Sequence, residues 1–315
     1  MSRKLRTWLS VFLVILVSLF VLIPAIAAHL MVHRGFKVDD PSATAVDSAW
    51  LYSALKDRYP REEMVFPSGE NNLHGFLYGA QNEGPLIVFV HGIGYSHETY
   101  LSCIVWFVNH GHTVFAPDLT ASGKSEGNDR KGLIQSALDV DAALTYIESD
   151  ARLSDRPKAL VGHSWGAFGV LGALSFPHEV AAVVSLAPFA YPRQELCNAL
   201  GMGLGPIVHL TRPWLAFEDW TVFGKYAGLN AVNALKKTTV PVLVIHGTGD
   251  EIIQYDKSSV IAYRDRIRNP KVQYLTIDEE GRNGHVSIFH AMGETEPYEP
   301  FMQVINKFIV NNIQL

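Results

Sequence analysis

Six short apolar runs punctuate the chain: 86–90, 113–116, 159–161, 181–186, 240–245 and 272–277. The first of them, Leu86-Ile87-Val88-Phe89-Val90, is apolar at every position, as a strand buried on both faces must be. Between the runs the apolar spacing turns helical, over about Thr99–His110, over Ile134–Ser149 through Leu138, Ala142, Leu144 and Ile147, and from 165 to Phe176, where Pro177 stops it. A last helix is expected over roughly Phe301–Val310. Strands alternating with helices over two hundred residues predict an α/β fold, a mostly parallel sheet with helices on both faces. Ahead of this series, Glu62–Phe66 and Leu73–Tyr78 flank the turn 68–72 and predict an antiparallel hairpin at a sheet edge. Ala45–Tyr59 has helical spacing at Val46, Ala49, Trp50 and Leu55, and Pro60 ends it. The stretch Tyr191–Lys237 breaks the alternation, setting Gly201, Gly203, Gly205, Pro206 and Pro213 among Leu200, Trp214, Phe217, Trp220 and Phe223. Two readings stand: helices that complete the core, or a cap over a pocket mouth at the C-terminal ends of the strands.

The N-terminus follows a different pattern. From Trp8 to Ile23 only Ser10 and Ser18 are polar, and Pro24–Leu30 extends the run with His29 as its one polar residue. Counting the small residues, that is enough to cross a bilayer as a helix of about 20 residues. Arg3, Lys4 and Arg6 precede it on the short side, which favours a single-pass anchor with the rest of the chain on the extracytoplasmic side. A cleaved signal peptide is the rival, because Ala25-Ile26-Ala27 fits the small-residue cleavage pattern and would release a secreted domain. The run exceeds the usual length of a signal-peptide core, and this favours the anchor. The expected organisation is therefore an anchor over 1–30, a linker with the helix over 31–61, and an α/β domain over 62–315 carrying the possible cap at about 191–237.

Composition narrows the function. With 315 residues, 48% of them apolar and 18% charged, the chain can bury a large core and is not disordered. A net charge of −5 without a basic block beyond the N-terminus excludes nucleic acid as the expected partner. Cys103 and Cys197, far apart and each in apolar surroundings, read as two buried free thiols rather than a bridge or a metal site. His97-Glu98 begins a zinc-protease pattern that Leu101 breaks. No metal and no cofactor is expected.

Candidate chemistry begins at Gly162-His163-Ser164-Trp165-Gly166, between the 159–161 strand and the following helix. A serine in a G-x-S-x-G turn of this kind stands clear of the sheet on a strained backbone, and side chains at the two glycine positions would collide. The hydroxyl needs a base to take its proton, and the base needs an acid to orient it. Both should follow strand ends in an open α/β sheet. Asp250 follows the 240–245 strand and His285 follows the 272–277 strand, with Glu251 and Asp256 as reserve acids and His290 as reserve base. The order Ser164, Asp250, His285 is that of α/β-hydrolase triads. His163 and His246 read as structural. An oxyanion hole requires backbone N–H donors, one from Trp165 and one from the loop after the 86–90 strand, where Ile93 is the first choice and Gly94 or Tyr95 the alternatives.

Together, Val90-His91-Gly92-Ile93-Gly94, Asp118 with Gly123-Lys124-Ser125-Glu126-Gly127, the 162–166 turn, Val244–Asp250 and Gly284-His285 resemble the landmarks of the α/β-hydrolase superfamily. The closer resemblance is to its serine-aminopeptidase and monoacylglycerol-lipase-like branch. It implies an eight-stranded sheet, a Ser-Asp-His triad and hydrolysis without a cofactor. Thr120-Ala121-Ser122 departs from the pattern, since many relatives carry Arg-Gly there. Serine at 164, where dehalogenase and epoxide-hydrolase relatives use aspartate, points to acyl transfer. The expected activity is esterase or lipase-like, on a small acyl ester that the apolar segment and the membrane tether suggest is lipid-derived. A thioesterase, an aminopeptidase using Glu218 and Asp219 for the substrate ammonium, and a non-catalytic tethered binding protein are the alternatives.

Overall fold

Residues 2–42, 50–290 and 295–313 are described by the computed structural model. They divide into two compact units, Val38–Tyr191 with Leu229–Leu315, and Met1–Lys37 with Pro192–Gly228.

In the first unit the apolar runs become strands of one eight-stranded sheet. In chain order these are β1 (Arg61–Ser68), β2 (Asn71–Tyr78), β3 (Leu86–Val90), β4 (Thr113–Pro117), β5 (Lys158–His163), β6 (Ala182–Leu186), β7 (Val242–Gly247) and β8 (Val272–Ile277). The spatial order is β1-β2-β4-β3-β5-β6-β7-β8, with β2 antiparallel to both neighbours and every later pairing parallel. The hairpin lies at the edge, as its alternating pattern required. β5 runs past Val161 because Gly162 and His163 pair with Ser185 and Leu186, so the strand ends directly at Ser164.

The alternation of side chains along β3 sorts the core into two layers. Leu86, Val88 and Val90 join one cluster, with helices α5 (Gln135–Ser149), α6 (Trp165–Ala173) and α9 (Ala231–Lys237); Ile87 and Phe89 join the other, with α4 (Leu101–Asn109) and α11 (Glu299–Ile313). Both cysteines are free and buried, and burial pushes the Cys103 thiol up to about 12, so it is no nucleophile. Two short helices, α3 (Tyr52–Leu55) and α10 (Arg264–Ile267), complete the unit. Of the helix expected over 45–59, residues 45–49 lie outside the described residues, and the described remainder holds the single turn α3.

The second unit begins with a 32-residue helix, Arg3–Arg34, made of α1 (Arg3–Val17), a π-helical turn over Ser18–Leu22, and α2 (Ile23–Arg34). At 1.5 Å per residue it is ~48 Å long, more than the ~30 Å of a bilayer core. Trp8, Phe12, Leu13, Val14, Phe20, Ile23 and Ile26 are exposed along it, while Pro24, Ala28 and Val32, spaced by four, form its one buried stripe. The unit also holds α7 (Pro192–Leu204), a 3-10 segment over Gly205–Thr211, α8 (Arg212–Phe223) and a 3-10 turn over Gly224–Tyr226. The stretch that broke the alternation is thus divided. Ala231, Val232 and Leu235 of α9 finish the sheet's core, and 192–228 belongs with the N-terminal helix.

Candidate active site

Topology brings the site residues together. β3 connects to β4 on one side and has β5 on the other, so the sheet changes winding direction between β3 and β5. Loops diverge from the C-terminal ends of parallel strands at such a point and leave a crevice. Val90 pairs with Gly162, which sets the His91–Gly94 loop beside Ser164.

Ser164 has φ 55 and ψ −114, a conformation that costs a residue with a Cβ of order 1–3 kcal/mol. Its amide donates to the Leu186 carbonyl at 2.8 Å, and its carbonyl accepts from Phe168 at 3.0 Å, locking the turn between β5 and α6. A Cβ on Gly162 would overlap the Gly166 carbonyl, and one on Gly166 would overlap the Val90 carbonyl. Backbone atoms on both sides leave no room to yield. Gly166→Ala is therefore expected to cost about 3 kcal/mol or more in a denaturant midpoint. Gly228→Ala, where a Cβ meets nothing within 4 Å, should stay within about 0.5 kcal/mol.

Ser164, His285 and Asp250, at 7%, 4% and 6% exposure, stand in a hydrogen-bonded line. His285 Nε2 is 2.8 Å from Ser164 Oγ, and His285 Nδ1 is 2.8 Å from Asp250 Oδ2. The Asp250 carboxylate also accepts the backbone N–H groups of Ile252 at 2.9 Å and Ile253 at 2.7 Å on Oδ1. Burial favours its neutral form, but hydrogen bonds from His246 and His285 and the electrostatic pull of these rings outweigh burial and hold the carboxyl well below the usual range. Of the reserve groups, Glu251 accepts the His285 backbone N–H at 3.3 Å, and His290 lies 3.0 Å from Ser102 Oγ.

His163 and His246, which read as structural in the sequence, both touch this line. His246 Nε2 lies 3.0 Å from Asp250 Oδ2 and 2.9 Å from the Ile253 carbonyl, fixing the carboxylate from behind. His163 Nε2 donates to the His285 carbonyl at 3.0 Å, leaving Nδ1 to accept the Tyr100 hydroxyl at 2.7 Å, which itself accepts the Gly92 N–H at 3.2 Å. One chain of donors thus ties the β3 loop to the loop of His285. Burial brings His163 down to about 3, so the ring stays uncharged next to His285. The only signal in the sequence was adjacency, His163 before Ser164 and His246 four residues before Asp250. Gly247 and Gly249 complete the placement: a Cβ on Gly247 would overlap the Asn283 carbonyl, which accepts the Gly249 N–H at 3.0 Å. The 283–285 turn can therefore lie directly on the end of β7.

The β3 loop is anchored by His91, whose Nδ1 donates to the Gly92 carbonyl at 2.8 Å while Nε2 accepts the Leu119 N–H at 2.9 Å. Among the described residues the backbone N–H groups of Ile93 and Trp165 have no intramolecular acceptor, that of Trp165 because it opens α6. A Cβ on Gly92 would stand 3.4 Å from the Ser164 Cβ. The Trp165 indole is spent on structure, donating to the Leu133 carbonyl at 2.9 Å.

Asp118 joins this loop to the one after β4. Its carboxylate accepts the His97 backbone N–H at 2.9 Å, His97 Nδ1 at 2.8 Å and the Lys124 N–H at 3.0 Å, and Arg61 donates to His97 Nε2 at 2.8 Å. Burial opposes the charge, yet the His97 ring and backbone donors prevail and bring the Asp118 carboxyl down to about 2. A carboxyl depressed on folding stabilises the protein above its unfolded pKa of about 4 and loses that contribution as pH falls toward 2. Asp118→Asn should therefore lower stability by about 2 kcal/mol at pH 7 and flatten stability against pH between about 4 and 2, read from urea midpoints. Beyond Asp118 the departure from the family pattern has its own fit. Thr120 donates to the buried Asp139 through its N–H at 2.8 Å and its hydroxyl at 2.9 Å, and Ala121 takes φ 55, the conformation that glycine adopts more readily.

Comparison with known proteins gives concordant matches. The model of the alpha/beta hydrolase family matches residues 87–297. The quorum-quenching protein AidA of Acinetobacter baumannii is 30% identical over 162 residues, which cover 50% of this chain and 52% of AidA. The chain thus spans about half the length of AidA, whereas YfhR of Salmonella typhi is 22% identical over 82% of both chains. Among solved structures, an esterase of Pyrococcus furiosus superposes with a TM-score of 0.64 at 19% identity, over 87% of this chain and 99% of the esterase. At that identity the likeness is one of fold.

Proposed function

The chain belongs to the alpha/beta hydrolase family and is a hydrolase; on that premise we propose that it cleaves carboxylic acyl esters, with Ser164 as nucleophile, His285 as base and Asp250 as the acid that orients it. The reading is carried by the line of 2.8 Å contacts from Ser164 through His285 to Asp250 on a strained turn. His285 takes the Ser164 proton as Oγ attacks the carbonyl carbon, and Asp250 steadies the imidazolium. The N–H groups of Ile93 and Trp165 receive the oxyanion. His285 then protonates the departing alcohol, and water, activated by the same ring, releases the acid from the acyl-enzyme.

The substrate we assign is a lipid-derived ester met at a bilayer surface. Arg3–Arg34 serves as a single-pass signal anchor, with Arg3, Lys4 and Arg6 cytoplasmic and the hydrolase unit extracytoplasmic. In the same unit, α8 exposes Phe217 and Trp220 on one face, ring centroids 6.1 Å apart, the kind of aromatic pair that settles at a membrane interface. The ester reading is favoured over the aminopeptidase reading because both acids suited to a substrate ammonium are engaged: Glu218 by His29 and His33, and Asp219 by Arg193 at 2.9 Å. A fluorophosphonate probe should label the protein and fail to label Ser164→Ala; a folded protein that does not react would favour a binding role. In an ester series, turnover should rise with acyl-chain length. Equal turnover of short, soluble esters would remove the lipid assignment, and a mature chain starting near Ala28 by mass would replace the anchor with a signal peptide.

A further inference from the structure

A second cluster of chemically capable side chains lies within the unit of the N-terminal helix. His29 and His33, four residues apart on α2, share one face, and their rings approach to 4.4 Å between centroids. Glu218 of α8 reaches between them, with Oε1 3.0 Å from His29 Nδ1 and Oε2 2.9 Å from His33 Nε2. Three ligand atoms, one from each residue, all lie within 4.8 Å of one another.

We infer that His29, His33 and Glu218 form a binding site for a first-row transition-metal dication, with zinc as its occupant. Two imidazoles and one carboxylate make a donor set suited to zinc and unlike the all-oxygen sets of magnesium and calcium. A tetrahedral ion holds its ligands at about 2.0–2.2 Å. That sets ligand atoms roughly 3.3 Å from one another, so the three, within 4.8 Å of one another as they stand, each close in by about an ångström or less on an ion. The two rings are half-exposed and leave the fourth position open to water, while the Glu218 side chain is 12% exposed. Among the described residues no Lys or Arg reaches that carboxylate, so no side-chain cation competes with a dication for it. The contrast with His178 is instructive. There a single ring lies between Asp141 and Glu148, 2.8 and 2.9 Å from its two nitrogens, and the diverging nitrogens of one ring cannot chelate one ion. At Glu218 two rings converge. A bound ion would pin the C-terminal end of the apolar helix to α8, as a metal staple.

The test uses the full, untagged chain in detergent, stripped with EDTA and dialysed. Titration with zinc chloride should give one equivalent by elemental analysis, and cobalt chloride should give the visible absorption of a four-coordinate site. Glu218→Gln should weaken zinc binding about 100-fold or more, as should His33→Gln; His29→Gln, the most exposed of the three, serves if either variant fails to fold. The inference is overturned if zinc leaves on dialysis as it does from buffer, or if folded variants bind zinc as the parent chain does. The readout requires no turnover, so the fate of the esterase proposal does not affect it.

Discussion

Ser164→Ala is expected to lower kcat/KM for an acyl ester about a millionfold, with the fold retained. The alanine keeps the Cβ and therefore the φ of 55 that the turn already accommodates, and it removes only the hydroxyl that His285 Nε2 contacts at 2.8 Å. On the proposed mechanism no acyl-enzyme forms without Oγ. What remains is rate enhancement of about 10³–10⁴ over water, from oxyanion donors and substrate positioning. Matched circular dichroism and urea midpoints beside the kinetics separate lost chemistry from lost structure. Activity within tenfold of the parent enzyme would remove Ser164 from the mechanism.

Asp250→Asn is expected to cost about 10⁴ in kcat, with little change in KM. The physical cause is the proton count around the carboxylate. Oδ1 is held by the Ile252 and Ile253 N–H groups and Oδ2 by His285 and His246, so each oxygen receives two donors. An asparagine keeps its oxygen on the two backbone donors and turns its NH₂ toward the rings. His285 then accepts at Nδ1 and carries its proton on Nε2, facing Ser164, where it can no longer take the serine proton. A kcat loss near tenfold would show that His246 or another group orients His285 instead. A large rise in KM at constant kcat would place Asp250 in substrate binding.

Much of this arrangement is legible along the chain because its causes are local. Strands buried on both faces must be apolar throughout, which made β3 plain. A turn that brings two backbone segments into contact around a serine requires glycine at 162 and 166, which made the Ser164 turn plain. The succession Ser164, Asp250, His285 follows from residue type and strand order. Illegible were the partners chosen across distance: His163 bonded to the carbonyl of a residue 122 positions later, the four donors on Asp250, and the Arg61–His97–Asp118 link between two loops. The division of 191–237 was equally hidden. Its apolar residues are alike in kind, and only their neighbours decide that Ala231 and Leu235 enter the sheet's core while 192–228 groups with the N-terminal helix.

By itself, then, the sequence determined the periodicities, the glycine turns, the apolar N-terminal run and which residues have the right chemistry, because these follow from short-range sterics and solvation. Tertiary structure alone decided the strand order. By placing β5 against β3 instead of beyond β4, it set the Ile93 loop beside Ser164, and by bringing α8 to α2 it closed Glu218 onto His29 and His33. Those pairings depend on which surfaces bury each other, and that is a property of the whole packed chain and of no single segment.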